Sequence, residues 1–84
     1  MTHEEAVAVV QMALEGDGIS KDQYNDNTKL DALGIDSLEI VSLTMGIEDA
    51  YDVDFDSKLL VKIFTVGDMI KAVMDIVPSA IRIQ

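Results

Sequence analysis

Three helix-start signals divide the sequence into helical segments. At Thr2, Asp36 and Thr65, a residue whose side chain can cap a helix is followed three residues later by an acid. Such a pair satisfies backbone amides that the first turn of a helix leaves unbonded. Apolar residues at intervals of three and four follow each signal, which is the spacing of one helical face. The sequence therefore predicts helices that begin at these three residues.

The predicted helices end near Gly16, Tyr51 and Pro78, and two connections of different length join them. The first runs from residue 17 to about residue 35, and a loop of this length in a small domain is usually functional. The second leads into a short helical stretch at about residues 57–63. The sequence thus predicts an all-α fold, a small four-helix bundle with a long first loop and a short third helix. Three apolar residues of the first loop are expected to pin it onto the bundle: Ile19, Leu30 and Leu33.

The length of the chain limits it to one such bundle. Its 84 residues are 49% hydrophobic but only 5% aromatic, which predicts one core of aliphatic side chains. We expect residues 1–84 to form a single domain and the protein to be a monomer. Residues 78–84 form a tail to which the sequence assigns no role.

The charge of the chain restricts its partners. Sixteen acidic residues against six basic ones give a formal net charge of −10. Like charge of this size repels nucleic acid and anionic membranes and attracts basic protein surfaces. Between Leu30 and Ser57 there are acids but no Lys or Arg. We therefore expect basic partner surfaces that meet the second helix, and no binding to nucleic acid.

Side chains for catalysis or metal binding are sparse. The chain has no Cys, and its single His, His3, lies beside the N-terminus, so no nucleophile can be paired with a base. The acidic residues 52–56 resemble the start of a calcium-binding loop, but the positions that require Gly and Glu hold Ser57 and Ile63. We expect no enzymatic activity and no metal site. The sequence shows no signal peptide and no bilayer-spanning apolar stretch, which favours a cytoplasmic protein.

The second predicted helix carries two apolar stripes on opposite sides. At about 100° per residue, the stripe that suits a bundle core contains Ile40, Leu43, Thr44, Ile47 and Tyr51. A helix in a small bundle buries only one stripe, so the other is expected to be an exposed docking surface, unless it packs beneath the long loop. With the acids around it, the predicted partner-binding residues are Asp36, Leu38, Glu39, Val41, Met45, Glu48 and Asp49.

The segment Leu33–Tyr51, LGIDSLEIVSLTMGIEDAY, resembles the prosthetic-group segment of acyl carrier proteins. The resemblance lies in the Asp-Ser-Leu motif that opens the second helix, and it extends from the first helix to about Val77. It implies that Ser37 is esterified by 4′-phosphopantetheine, which a phosphopantetheinyl transferase takes from coenzyme A. Acyl groups would then travel as thioesters on this arm to basic surfaces of acyl synthases, reductases, dehydratases and acyltransferases of fatty-acid or related lipid biosynthesis.

The position of Ser37 suits this modification. In the first turn of a helix the backbone amides are unbonded and the helix dipole is positive, so an attached phosphodiester is favoured. Exposure of an acyl chain on the arm to water costs about 0.8 kcal/mol of free energy per methylene. We therefore predict a sheltering cavity between the second and fourth helices, with a lining that includes Ile47, Ile70 and Val73.

Several residues depart from the usual pattern of that family. Ser42 stands where an acid is common, Gly46 stands where Ala is common, and Lys58 and Lys62 make the third helix unusually basic. A specialised carrier, for a polyketide or for hydroxyacyl groups of envelope lipids, is therefore an alternative. Another is an acidic protein-interaction module that is never modified. A peptidyl carrier fits less well, because it would typically have Gly-Gly before the modified serine.

Overall fold

The computed structural model of the protein describes residues 1–77. Within them the chain forms four α-helices: α1 at His3–Gly16, α2 at Ser37–Tyr51, α3 at Ser57–Leu60 and α4 at Val66–Ile76. Two 3₁₀-helices lie in the first connection, at Lys21–Gln23 and Leu30–Leu33. The predicted all-α bundle, with its long first loop and short third helix, is confirmed. The predicted tail, residues 78–84, lies outside the described residues.

The predicted capping boxes of α1 and α4 are both formed. At α1, the Glu5 amide donates to Thr2 Oγ1 at 3.1 Å, and the Thr2 amide donates to Glu5 Oε1 at 2.9 Å. At α4, the Asp68 amide donates to Thr65 Oγ1 at 3.0 Å, and the Thr65 amide donates to Asp68 Oδ2 at 3.1 Å. Each box satisfies amides that the helix cannot bond internally, which explains why both helices begin where the sequence predicts.

α1 lies against both α2 and α4, and the apolar faces of the three helices form the core. The buried side chains of these helices include Ala6, Val10, Leu14, Leu43, Thr44, Ile47, Met69, Ile70 and Val73. The predicted inward face of α2 is wrong at one residue, because Tyr51 is 38% exposed. Tyr51 ends α2, where it borders an open groove towards Val9 and Met12 of α1. The apolar spacing in the sequence of α2 thus continues beyond the part of the helix that packs into the core.

The first connection is bonded along its backbone to the start of α4. The amides of Val66 and Gly67, the first two of that helix, donate to the carbonyl oxygens of Thr28 at 3.0 Å and Asp26 at 2.8 Å. Such amides have no partner within the helix, so the loop closes this end of α4. A Cβ at position 67 would lie 2.8 Å from the Asp26 carbonyl oxygen. Glycine at this position therefore allows the loop to approach so closely.

Apolar side chains also hold this connection against the bundle, as predicted. Ile19 is 8% exposed and Leu30 is 1% exposed, and Leu33 is half-buried. The Leu30 amide also donates to the Phe64 carbonyl oxygen at 2.8 Å. The long loop is therefore fixed at several points, and it delivers the chain to the start of α2 in a defined position.

Candidate functional site

Ser37 is the first residue of α2, and its side chain is exposed. Before it, Gly34 ends the second 3₁₀-helix with φ 80°, a conformation that costs least for a residue without a side chain. Ile35 is buried, at 3% exposed, and anchors the chain. Asp36 then caps α2, because its Oδ1 accepts a hydrogen bond from the Glu39 amide at 2.9 Å. These contacts hold the Ser37 hydroxyl at the outer end of the helix.

The first two backbone amides of α2 are open. Among residues 1–77, no group accepts a hydrogen bond from the amide of Ser37 or Leu38. The two following amides are satisfied, because Glu39 donates to the Asp36 carboxylate and Ile40 donates to the Asp36 carbonyl oxygen at 3.0 Å. Open amides at a helix N-terminus carry partial positive charge and favour an anionic group. The residues here therefore fit a phosphodiester attached to Ser37.

A cavity of about 600 Å³ opens beside Ser37. It lies between the second 3₁₀-helix, the start of α2, and the segment that follows α3. Its floor is apolar and buried, formed by Leu30, Ile35 and Ile63. Its rim carries two exposed apolar side chains, Val61 at 69% and Phe64 at 65% exposed. Ser37 itself is part of the lining of this cavity.

The outward stripe of α2 is exposed, as the sequence predicts. Leu38 is 81% exposed, Met45 is 56% exposed and Val41 is 40% exposed. The long loop does not cover these side chains, so the alternative that they pack beneath it is wrong. Asp36 and Asp49 are exposed as well. The role of this surface in binding partners remains a prediction.

Glu48, one of the predicted partner-binding acids, has a contact within the protein. Its Oε2 accepts a hydrogen bond from the Phe55 amide at 2.6 Å, and its carbonyl oxygen accepts one from the Val53 amide at 3.2 Å. Phe55 is buried at 7% exposed. Glu48 therefore fixes the turn that follows α2, a contact that the helical spacing of the sequence does not reveal.

Glu39, another of these acids, does not complete the capping box predicted for α2. The structure contains only the bond from the Glu39 amide to Asp36. A hydrogen bond with the Asp17 side chain raises the pKa of the Glu39 carboxyl, and the negative charges of Asp17 and Asp36 raise it further. The carboxyl thus interacts with the end of α1 rather than with the backbone of its own helix.

The three predicted acyl-cavity residues are buried but do not line one cavity. Ile47 borders a groove of about 330 Å³ between α1 and α2. Ile70 borders a separate pocket that includes residues of the first connection. Val73 is fully buried in the core, at 0% exposed. The cavity beside Ser37 is lined instead by the second 3₁₀-helix, the start of α2 and the segment that follows α3, a combination that the helical wheel of α2 alone cannot identify.

Two further properties concern the whole described part of the chain. No helix within residues 1–77 is long and apolar enough to cross a membrane. Within the same residues, no three His, Cys, Asp or Glu side chains gather into a group that could hold a metal ion.

Comparisons with known proteins agree with this site. A family model described as a phosphopantetheine attachment site matches residues 8–73. An acyl carrier protein from Sulfurovum sp. is 32% identical over 69 residues, covering 81% of this chain and 92% of the relative. One from Thermotoga maritima is 43% identical over 54 residues, covering 63% of this chain and 67% of the relative. One from Desulforapulum autotrophicum is 36% identical over 63 residues, covering 75% of this chain and 80% of the relative.

The fold leads to the same class of protein. The crystal structure of an acyl carrier protein from Thermotoga maritima superposes with a TM-score of 0.71 at 26% identity, covering 87% of each chain. A small helical bundle with a phosphopantetheine attachment site is a carrier domain. This chain belongs to the acyl carrier protein family, whose cofactor is 4′-phosphopantetheine.

Proposed function

We propose that this protein carries acyl groups as thioesters on a 4′-phosphopantetheine arm attached to Ser37. The observation that supports this most strongly is the exposed Ser37 hydroxyl at the open end of α2, beside an apolar cavity. Membership of the family implies the arm, and the geometry favours Ser37 as the point of attachment. When bound, the arm supplies a terminal thiol that holds an acyl group as a thioester.

Attachment is a phosphoryl transfer performed by a separate transferase. Ser37 Oγ forms a bond to the pyrophosphate phosphorus of coenzyme A that carries the pantetheine, the phosphoanhydride bond breaks, and the adenosine bisphosphate leaves. The hydroxyl proton passes to a base of the transferase, because the single His of this chain is His3 at the far end of α1. The carrier contributes an accessible hydroxyl and two open amides that receive the phosphodiester.

The exposed stripe of α2 is the proposed docking surface for partner enzymes. Leu38, Val41 and Met45 offer apolar contact, and the unbranched Met45 side chain can adapt to several partners. The acidic chain around them attracts basic surfaces and speeds their encounter at low salt. The chemistry on the thioester belongs to those enzymes: synthases, reductases, dehydratases and acyltransferases. The carrier itself acts as a non-catalytic, cytoplasmic monomer.

Two locations are candidates for sheltering the acyl chain. One is the interior near Ile47, Ile70 and Val73, which the sequence predicts. The other is the cavity beside Ser37, whose floor includes Ile35 and Ile63. Methyl NMR of the protein loaded with acyl chains of increasing length distinguishes them. Shifts that grow at the first three residues support the interior, shifts that grow at Ile35 and Ile63 support the cavity, and no shift at either argues against shelter.

The test of the proposed function is the mass of the intact protein after incubation with coenzyme A, magnesium and a promiscuous phosphopantetheinyl transferase. We expect one phosphopantetheine adduct on the wild type and none on Ser37→Ala. Ser42→Ala is the matched control, because Ser42 is an exposed serine further along the same helix, and it should be modified like the wild type. An unmodified wild type would support the alternative of an acidic interaction module.

A further inference from the structure

Lys29 brings a positive charge to the cavity beside Ser37. The charged side chains among the described residues that line this cavity are Lys29, Asp31 and Asp36. Lys29 is therefore the one cation of this lining, in a chain whose net charge is −10. Its side chain is exposed, so its ammonium group can meet a ligand at the rim.

The backbone fixes the place from which the Lys29 side chain extends. Lys29 pairs with Thr65 in an isolated antiparallel bridge. The next residue, Leu30, donates its amide to the Phe64 carbonyl oxygen at 2.8 Å and is only 1% exposed. The backbone of Lys29 is thus held against the start of α4, and its exposed side chain extends from this fixed point.

An arm on Ser37 would change the balance of charge at this cavity. The two carboxylates and the one ammonium already leave an excess of negative charge, and a phosphodiester adds one more. Partial positive charges on the open amides of Ser37 and Leu38 would compensate part of this charge at the helix end. A cation in the lining of the same cavity would stabilise the phosphate and reduce its repulsion from Asp31 and Asp36.

We propose that the Lys29 ammonium pairs with the phosphodiester of the arm and holds the first part of the arm over the cavity. This inference rests on the proposed function, since it requires an arm on Ser37. Lys29 is a positioning residue, because it acts on where the arm lies and takes no part in the chemistry of the thioester. For an exposed ion pair, we expect the ratio of held to free arm to be roughly 1.4- to 5-fold higher than it would be without the Lys29 charge.

NMR of the modified protein tests this directly. Protein labelled with ¹³C at lysine Cε is measured before and after attachment of the arm, and Lys71 is the internal control because it is exposed on α4 and does not line the cavity. We expect the Lys29 Cε resonance to move on attachment and the Lys71 resonance to stay. This measurement needs no substitution, so it does not depend on how a variant folds.

Variants give the second measurement, the width of the ³¹P resonance of the attached phosphodiester. We expect it to narrow in Lys29→Gln as the phosphate gains mobility, and to keep the wild-type width in Lys29→Arg and in the control Lys71→Gln. High salt should narrow the wild-type resonance towards that of Lys29→Gln. If the adduct forms but Lys29 responds like Lys71, the inference is wrong and the proposed function stands. If no adduct forms on the wild type, both are wrong.

Discussion

The first connection leads into α2 and is hydrogen-bonded to the start of α4, and the N-terminal ends of these two helices differ. At α4, carbonyl oxygens of the first connection accept hydrogen bonds from the first two amides, and Thr65 and Asp68 form a reciprocal capping box. At α2, the corresponding amides of Ser37 and Leu38 have no acceptor among residues 1–77. The closed end of α4 joins the first connection to the helix and has a structural role. The open end has an exposed hydroxyl and unbonded donors, so it can accept a charged group without losing existing bonds.

The acids at the third position of each helix show the same difference. At α4, the Phe64 amide donates to the Asp68 carboxylate at 3.0 Å, and this bond, with those of Thr65, lowers the pKa of Asp68. At α2, the pKa of Glu39 is raised by the neighbouring Asp17 side chain. Opposite shifts at equivalent positions follow from the partners, which are backbone donors in one case and another carboxyl group in the other.

The largest expected effect is at the contact that closes α4. We predict that Gly67→Ala lowers the free energy of unfolding by about 1–3 kcal/mol, because its Cβ would overlap the Asp26 carbonyl oxygen and force the loop away. Urea denaturation followed by circular dichroism measures the change. Gly46→Ala is the control, since no atom lies within 4 Å of a Cβ at that helix-interior position. It should raise the stability by about 0.5–1 kcal/mol. Equal effects of the two substitutions would contradict the proposed contact.

Removing the N-caps of α4 and α2 should give a smaller difference in stability, again with the larger loss at α4. We predict that Thr65→Ala costs about 1–2 kcal/mol of unfolding free energy, because it removes one half of a reciprocal, part-buried box. Asp36→Ala should cost about 0.5–1 kcal/mol, because it removes a single exposed bond. Thermal or urea denaturation of the two variants provides the comparison. A larger loss for Asp36→Ala would show that the end of α2 is more tightly closed than the hydrogen bonds indicate.

The pH dependence of the two acids should have opposite signs. The pKa of Asp68 lies below its ordinary value of 3.8, so its stabilising contribution is present above that value and is lost as the pH falls through the folded pKa. The pKa of Glu39 lies above its ordinary value of 4.5, so its contribution is present below that value and is lost as the pH rises through the folded pKa. An NMR titration of the carboxyl carbons measures both values, and shifts of the same sign would contradict this account.

The smallest expected effect is at Glu39 itself. We predict that Glu39→Gln slightly raises the unfolding free energy at neutral pH, because it removes the repulsion from Asp17 that raises the Glu39 pKa. The control is Asp49→Asn, which removes one negative charge from an exposed position of the same helix. The difference between the two variants, measured by urea denaturation, reports the local contact. An equal change in both would mean that only the net charge matters.

The local pattern of the sequence predicts much of this fold. The capping residues Thr2, Asp36 and Thr65 and the apolar spacing behind them predict where the long helices begin, since these are interactions between close neighbours in the chain. The exposure of the stripe around Met45 follows from the same spacing, because a bundle helix can bury only one face. The candidate serine comes from the motif that opens α2.

Three features that depend on the tertiary fold could not be predicted in this way. The bonds that the Val66 and Gly67 amides donate to the carbonyl oxygens of Thr28 and Asp26 join backbone groups, so no side-chain pattern marks them. The contact of Glu48 with Phe55 depends on how the turn folds back onto α2. The cavity beside Ser37 is formed by segments that only the tertiary fold brings together. Gly67 was not identified from the sequence, because only the structure reveals its closeness to the Asp26 carbonyl oxygen.

In the proposed function, the open end of α2 receives the arm while the closed end of α4 does not take part. Residue-resolved amide NMR, with spectra taken before and after modification, tests it most directly. We expect rapid hydrogen exchange at Ser37 and Leu38 before attachment, with the largest amide shifts at these two residues afterwards. Val66 and Gly67 should be protected throughout and should move little. Protected amides at Ser37 and Leu38, or shifts centred on another serine, would contradict the account.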